Sequence, residues 1–308
     1  MILRTALYVL LGFLSLSLAG CGESPRAYVD FSQGVAPQDL QRQEDHIEKP
    51  LVIALASVVS PQETIQHYRV IAAVISRKMG RQAVLIQRKT YAEVNQLLAN
   101  GEADVAFLST GAYSAYRGMN EIEVLVMAQY GGTSLYHADI IVPKDSPARS
   151  LADLQGKVFA FTDPLSYSGH MVIEEVLRPY HTTPETYFSR YFYTYNHDKS
   201  LWAVANKLAD GASFDSQIYE YMQQRRPELT NQVRLIATIG SAPTGPIVVQ
   251  KKLEQSQKET LRQVFLELET EPEARKALQG LVTDRFVMPQ PELYQPLRKI
   301  YDRTSVSL

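Results

Sequence analysis

From Leu51 onward the chain alternates short apolar runs of strand length with segments of helical periodicity, and this alternation restricts what it can fold into. Residues 51–56 read as a strand. Residues 62–79 place Ile65, Tyr68, Ile71, Ala72 and Ile75 on one helical face, with Gly80 as the stop. A strand at 83–86, a helix at 91–99 ended by Asn100-Gly101, a buried strand at 105–108, a helix at 112–117 and a strand at 124–129 follow. The pattern continues with strands at 140–142 and 158–161, a short helix at 151–154 and a helix at 171–177. A strand at 191–195, a helix at 201–210, and strands at 212–214, 233–236 and 246–250 precede a mostly helical remainder from Leu253. Such alternation predicts a layered α/β architecture with largely parallel sheets. In open α/β sheets ligands bind at the carboxyl ends of strands.

One such end carries Asp163-Pro164-Leu165-Ser166-Tyr167-Ser168-Gly169-His170, between the strand at 158–161 and the helix at 171–177. Small hydroxyl residues and a glycine in a strand-to-helix turn aim backbone N–H groups and Ser hydroxyls at whatever occupies the turn, which suits an anion. Taken alone, a Ser before a helix is ordinarily an N-cap, and that reading stands beside the first.

The N-terminus places Arg4 before an apolar run at 6–18, followed by Leu18-Ala19-Gly20-Cys21. A basic start, an apolar stretch too short to span a membrane comfortably and a small-residue end have the layout of a secretory signal at 1–20. Leu-Ala-Gly-Cys resembles the bacterial lipobox. That resemblance implies cleavage before Cys21, lipid on its sulfur and amine, and an extracytoplasmic protein anchored in a periplasm or at a cell surface. Residues 21–48 are polar and read as a flexible tether. Cys21 is the single cysteine, so export brings no internal disulfide. With 31 basic and 33 acidic residues the net charge is −2, and no polybasic surface for nucleic acid is present. No metal-ligand motif occurs, and no cofactor is expected. Tyrosines outnumber phenylalanines, 18 to 10, which suits a polar cleft lined by phenols and equally suits exposed strands.

A series of landmarks carries a family resemblance: Thr90-Tyr91-Ala92-Glu93-Val94, Gly101-Glu102-Ala103-Asp104-Val105-Ala106-Phe107-Leu108, Tyr136 through Asp145-Ser146-Pro147, and Leu151-Ala152-Asp153-Leu154-Gln155-Gly156-Lys157. Phe161-Thr162-Asp163-Pro164 with Ser166-Tyr167-Ser168-Gly169, then His197, Ala203-Val204-Ala205-Asn206 and Pro246-Ile247-Val248-Val249 complete it. In this order and spacing, from about Leu51 to Arg285, the chain resembles the substrate-binding lipoproteins of ABC importers for phosphonate, phosphite and phosphate. These form a branch of the periplasmic binding protein superfamily. The resemblance implies an α/β two-lobe fold, type II-like, with hinge strands between lobes. Lobe 1 comprises 49–138 plus 244–308, and lobe 2 comprises 139–243. It implies that Tyr91, Tyr136, Ser166, Tyr167, Ser168 and His197 hold a small oxyanion through hydroxyls and backbone N–H groups. It also implies a membrane permease as partner and a protein that works as a monomer.

Each of these residues has an ordinary structural role open to it. Tyr91 could be a helix-start residue packing on its own lobe, Tyr136 could be a plain strand tyrosine, and His197 could cap the helix that follows. Asp215 could be an N-cap for 216–222 or could face the ligand. His46, His67, His170 and His181 show no partner pattern. Relatives commonly show Ser-Thr-Ser-Gly where this chain has Ser166-Tyr167-Ser168-Gly169, and Tyr167 takes more room. Gln217 and Gly245 stand where relatives that bind aminoalkylphosphonates have carboxylates. A sensor feeding a membrane kinase or chemoreceptor would look alike in sequence. A hydrolase is the third class, since Ser166 or Ser168 with His170 or His197 and Asp215 supplies the residue types. However, Leu165-Ser166-Tyr167-Ser168-Gly169 lacks the first glycine of Gly-x-Ser-x-Gly, and no catalytic activity is expected.

Overall fold

Strand β1 (Leu51–Leu55) sits between two cores, and its alternation sorts its side chains between them. In the computed structural model, which describes residues 49–303, Leu51, Ile53 and Leu55 enter one apolar cluster and Ala54 enters the other. The leader, Cys21 and the tether lie outside the described residues. The remaining strands are β2 (Ala83–Gln87), β3 (Val105–Phe107), β4 (Ile122–Gln129), β5 (Leu135–Pro143), β6 (Val158–Phe161), β7 (Arg190–Tyr193), β8 (Gly211–Asp215), β9 (Val233–Pro243), β10 (Pro246–Gln250) and β11 (Arg285–Val287). They form two sheets, ordered β11-β4-β10-β3-β1-β2 and β7-β6-β8-β5-β9. The principal helices are α1 (Pro61–Met79), α2 (Tyr91–Ala99), α3 (Thr110–Ala115), α4 (Val172–Leu177), α5 (His197–Ala205), α6 (Ser216–Arg225), α7 (Gln255–Glu267), α8 (Pro272–Gln279) and α9 (Gln295–Tyr301).

The chain passes between the sheets after β4, returns after β9, and the two passages are tied by Thr244 N–H donating to the Ser134 carbonyl at 2.9 Å. These returns make the sheets mixed, against the expectation of largely parallel ones. Four strand pairings are parallel, β1 with β2 and β3 and β6 with β7 and β8, while β4, β5, β9, β10 and β11 pair antiparallel. Strand β11 lies inside the stretch expected to be mostly helical.

One apolar cluster runs through both halves of the molecule. It joins Tyr91, Tyr113, Tyr294 and Tyr301 from around the first sheet to Phe159, Phe161 and Met171 of the second. A second cluster packs α1, α7 and α8 on the opposite face of the first sheet, and a third packs α5 and α6 on the second sheet.

Local chemistry explains most boundaries. Thr90 and Glu93 form a reciprocal capping box that starts α2 at Tyr91. Helix α5 departs from the expected 201–210. Its first turn, His197-Asp198-Lys199-Ser200, is polar and carries no periodicity. Its end comes early because Lys207 takes a left-handed φ of 59° and Leu208 N–H closes back on the Ala203 carbonyl at 2.8 Å. Strands β5 and β9 are longer than 140–142 and 233–236, because polar residues of β9, at the sheet edge, extend the ladder to Leu135↔Pro243.

Candidate functional site

A cavity of about 140 Å³ lies between the two sheets, at the carboxyl ends of β1, β3, β6 and β8. Two helix starts meet there. After β3, the Ser109 hydroxyl accepts the Ala112 N–H at 3.1 Å and caps α3. After β6, the Ser166 hydroxyl accepts the Gly169 N–H at 3.0 Å. Met171 N–H then reaches the Ser166 carbonyl at 3.0 Å, so residues Tyr167–Met171 wind as a wide π turn before α4 begins, not as the start of a plain α-helix.

The turn is held from several sides. Asp163 accepts the Leu165 N–H on Oδ1 at 2.8 Å, Thr162 N–H donates to the Gly169 carbonyl at 3.0 Å, and the Ser213 hydroxyl donates to the Ser168 carbonyl. The first-turn N–H groups of Tyr167 and Ser168 have no intrahelical acceptor by position. The Ser168 hydroxyl is buried beside them without a hydrogen-bond partner. Ser166 therefore serves as the expected N-cap and also lines the cavity.

Tyr91 is fully buried, and its hydroxyl also lacks a partner. Burial raises its pKa well above the usual phenol value, with Asp163 adding to the effect, so it stays a neutral donor. Tyr136 lies on β5, and burial holds its phenol protonated as well. The Thr110 and Ser168 hydroxyls lie near enough to bias its ionisation downward, though no formed hydrogen bond saturates Ser168.

His197 is pushed down to about 3 by burial and is neutral. Its Nδ1 accepts the Asp215 N–H at 3.3 Å, with the Thr162 hydroxyl at 3.2 Å, which leaves the ring proton on Nε2 as a donor. Asp215 caps α6, its Oδ1 accepting the Gln217 and Ile218 N–H groups at 2.9 and 3.2 Å, and the residue also lines the cavity. Desolvation pushes its carboxyl up to about 7.

Tyr167 lines the cavity, and its ring meets that of Tyr136 edge-on at 6.3 Å, while its hydroxyl reaches Gly240 on β9. Gly240 has φ of 63° and no room for a Cβ beneath that hydroxyl. Of the unassigned histidines, His170 holds the turn, its Nδ1 lying 2.9 Å from the Pro164 carbonyl.

Ser109, Thr110 and Gly111 were not singled out from the sequence, although Ser-Thr-Gly after a strand is the same kind of signal as Ser-Tyr-Ser-Gly. Gly111 is where the halves press together: a Cβ there would collide with the Leu165 carbonyl. Other contacts join the halves around the cavity. Tyr91 N–H donates to Asp163, Asn196 Nδ2 to the Ser57 carbonyl and His197 N–H to the Val58 carbonyl, the last two at 2.9 Å. Ser60 N–H reaches Asp198 at 2.9 Å, Tyr301 donates its hydroxyl to the Leu165 carbonyl at 2.8 Å, and Lys89 lies 4.1 Å over the Tyr195 ring. The lining includes no lysine or arginine. Among the described residues no group of three His, Cys, Asp or Glu could hold a metal ion, and no helix is long and apolar enough to cross a membrane.

Residues 53–294 match the family described as ABC transporter, phosphonate, periplasmic substrate-binding protein. The phosphonates-binding periplasmic protein of Escherichia coli K12 is 27% identical over 243 residues, covering 76% of this chain and 70% of that one. A binding protein component of an ABC phosphonate transporter from Pseudomonas aeruginosa superposes with a TM-score of 0.75 at 25% identity, over 82% of this chain and 86% of that one. A Prochlorococcus marinus protein solved with methylphosphonate also gives 0.75, at 16% identity, over 83% of this chain and 98% of its own.

Proposed function

Because the chain belongs to the periplasmic substrate-binding proteins of phosphonate ABC transporters, we propose that it captures a small phosphorus oxyanion in this cavity and delivers it to a membrane permease. The ligand is phosphite, phosphate or a small phosphonate, and lipid on Cys21 keeps the protein at the membrane. The observation that carries this reading is the pair of buried hydroxyls without a hydrogen-bond partner, Tyr91 and Ser168, on two residues that line one cavity. A buried polar atom left without a partner costs about 1–3 kcal/mol, and an oxyanion accepting both bonds removes that cost.

Tyr136, the Nε2–H of His197 and the first-turn N–H groups add donors, so a compact anion meets neutral dipoles on several sides. A site without fixed cations can hold the anion and still release it to a transporter. Asp215, the single carboxylate of the lining, selects for a shared proton. With a carboxyl near 7, it accepts a proton-bearing ligand oxygen when ionised and repels an anion without a proton, such as sulfate. Donors from both halves converge on one ligand and bias the closed arrangement.

A thermal-shift panel of phosphate, phosphite, methylphosphonate, aminoethylphosphonate, sulfate and arsenate tests the reading. A ligand at 100 times its dissociation constant adds about 2.7 kcal/mol of stability. No shift with any phosphorus species would overturn it. Mass spectrometry finding an unmodified Cys21 thiol in membrane fractions would remove the anchor.

A further inference from the structure

The cavity has two chemically different ends. Apart from the hydroxyl-bearing residues, its lining includes Val58, Phe107, Ile247, Leu281 and Phe286. Phe107 stands on an inner strand, between β10 and β1, yet it is not fully buried, and the surface it keeps faces the cavity. Its ring is fixed edge-on by Tyr68 at 5.3 Å, Phe265 at 5.7 Å and Phe286 at 6.3 Å, which makes a stiff wall.

The loop between α8 and β11 closes this end. Val282 takes φ of 54°, a left-handed conformation that a β-branched residue holds only when its surroundings impose it. Thr283 N–H bonds the Leu278 carbonyl at 3.1 Å, Tyr221 donates to the Gly280 carbonyl at 3.4 Å, and Val282 packs in the cluster of Ile218, Tyr221 and Met222. The strain thus seats a loop of the first half on the second and turns Leu281 and Val282 toward the cavity.

Water is poorly served there. Of the hydroxyls nearby, Thr64 is engaged with the Ser60 carbonyl at 3.1 Å and Thr283 with the Leu281 carbonyl at 3.2 Å, which leaves the Tyr68 phenol, on the side toward Tyr91, as the polar group at the border of this end. An ordered water needs two to four polar partners. Resting on the function proposed above, we infer that this end holds an uncharged apolar substituent, and that the preferred ligand is an alkylphosphonate with two or three carbons. The phosphonate head meets the hydroxyl end and the alkyl tail lies against Phe107 and Leu281. An ammonium tail would find no carboxylate there, since the single carboxylate of the lining, Asp215, stands beside His197.

Calorimetry with phosphate and with methyl-, ethyl-, propyl-, aminoethyl- and phenylphosphonate tests this. Affinity is expected to rise about fourfold per methylene from methyl to propyl, to fall for the bulkier phenyl, and to be at least tenfold weaker for aminoethyl than for propyl. Methylphosphonate binding as tightly as the ethyl and propyl compounds would overturn the inference and leave the proposed function standing. If no compound binds, both fall. Leu281→Trp, which fills the space from a half-exposed loop position, is expected to reverse the propyl-to-methyl order, and an unchanged ratio would place the tail elsewhere.

Discussion

Tyr91 donates its backbone N–H to Oδ2 of Asp163 at 3.1 Å, a bond that joins the first residue of α2 to the loop after β6. The same Asp163 orients the Ser166–Gly169 turn through Leu165 N–H, and the Tyr91 hydroxyl lies at the cavity. One carboxylate therefore takes part both in joining the halves and in holding the turn.

That carboxylate is buried, and desolvation pushes it up to about 6 from 3.8. The folded state then binds a proton that the unfolded chain has already released between about pH 4 and 6, so this group's contribution to stability falls as pH rises through that window. Asp163→Asn is expected to lack that fall. Its thermal midpoint, compared with that of the parent protein, should improve between pH 4 and pH 7. A constant difference across the range would show that the carboxyl titrates normally.

Ser168→Ala and Tyr91→Phe each remove a hydroxyl without a protein partner. Each is expected to weaken phosphonate binding about ten- to a hundred-fold, the loss of one hydrogen bond to a charged ligand. The stability of the unliganded protein should hold or rise, because no internal bond is broken. Calorimetry and thermal melts on the same samples separate the two effects, and unchanged affinity in both variants would remove these hydroxyls from the site.

Asp215→Asn keeps a good N-cap for α6 and removes the titrating carboxyl. Since the group sits near 7 and an anion beside it raises its pKa further, ligand binding above pH 7 should take up a proton, and affinity should decline as pH rises. The Asn variant is expected to flatten that decline and to lose discrimination against sulfate. Titrations in buffers of different ionisation heat count the proton directly.

Tyr301 lies beyond the residues matched to the family, on the last helix, and its hydroxyl holds the carbonyl next to Ser166. Tyr301→Phe removes that bond, and a net hydrogen bond of about 0.5–1.5 kcal/mol corresponds to a two- to twelve-fold effect. The expected signature is faster ligand release, together with a smaller decrease in radius of gyration on adding ligand by small-angle scattering. Equal release rates would show that α9 follows closure without contributing to it.

Much of the fold was legible because the periodic elements carry their own punctuation. Asn100-Gly101 ends α2 in the sequence as it does in the molecule, and β6 and β10 begin and end where their apolar runs do. What escaped depends on tertiary context. Lys207 ends α5 in a conformation usually given to glycine, and β9 is completed by polar residues at a sheet edge. The wide turn at Tyr167–Met171 is imposed by Asp163, Thr162 and Ser213, none of which leaves a periodic trace. In the site, the hydroxyl run after β6 could be read directly. The direction of the Tyr167 hydroxyl could not, because Gly240, nearly a quarter of the chain away, makes the space for it. The His197 tautomer was equally hidden, being set by the backbone N–H of Asp215.

A cavity that binds with oriented dipoles, and lacks lysine or arginine, has little for dissolved ions to screen. Pairs of full charges at a surface weaken as salt rises, whereas short hydrogen bonds inside a closed space do not depend on the ionic atmosphere outside. Beyond the cytoplasmic membrane a cell does not control the salinity of its surroundings. A phosphonate held as proposed is therefore expected to bind with nearly the same affinity at low and at high salt.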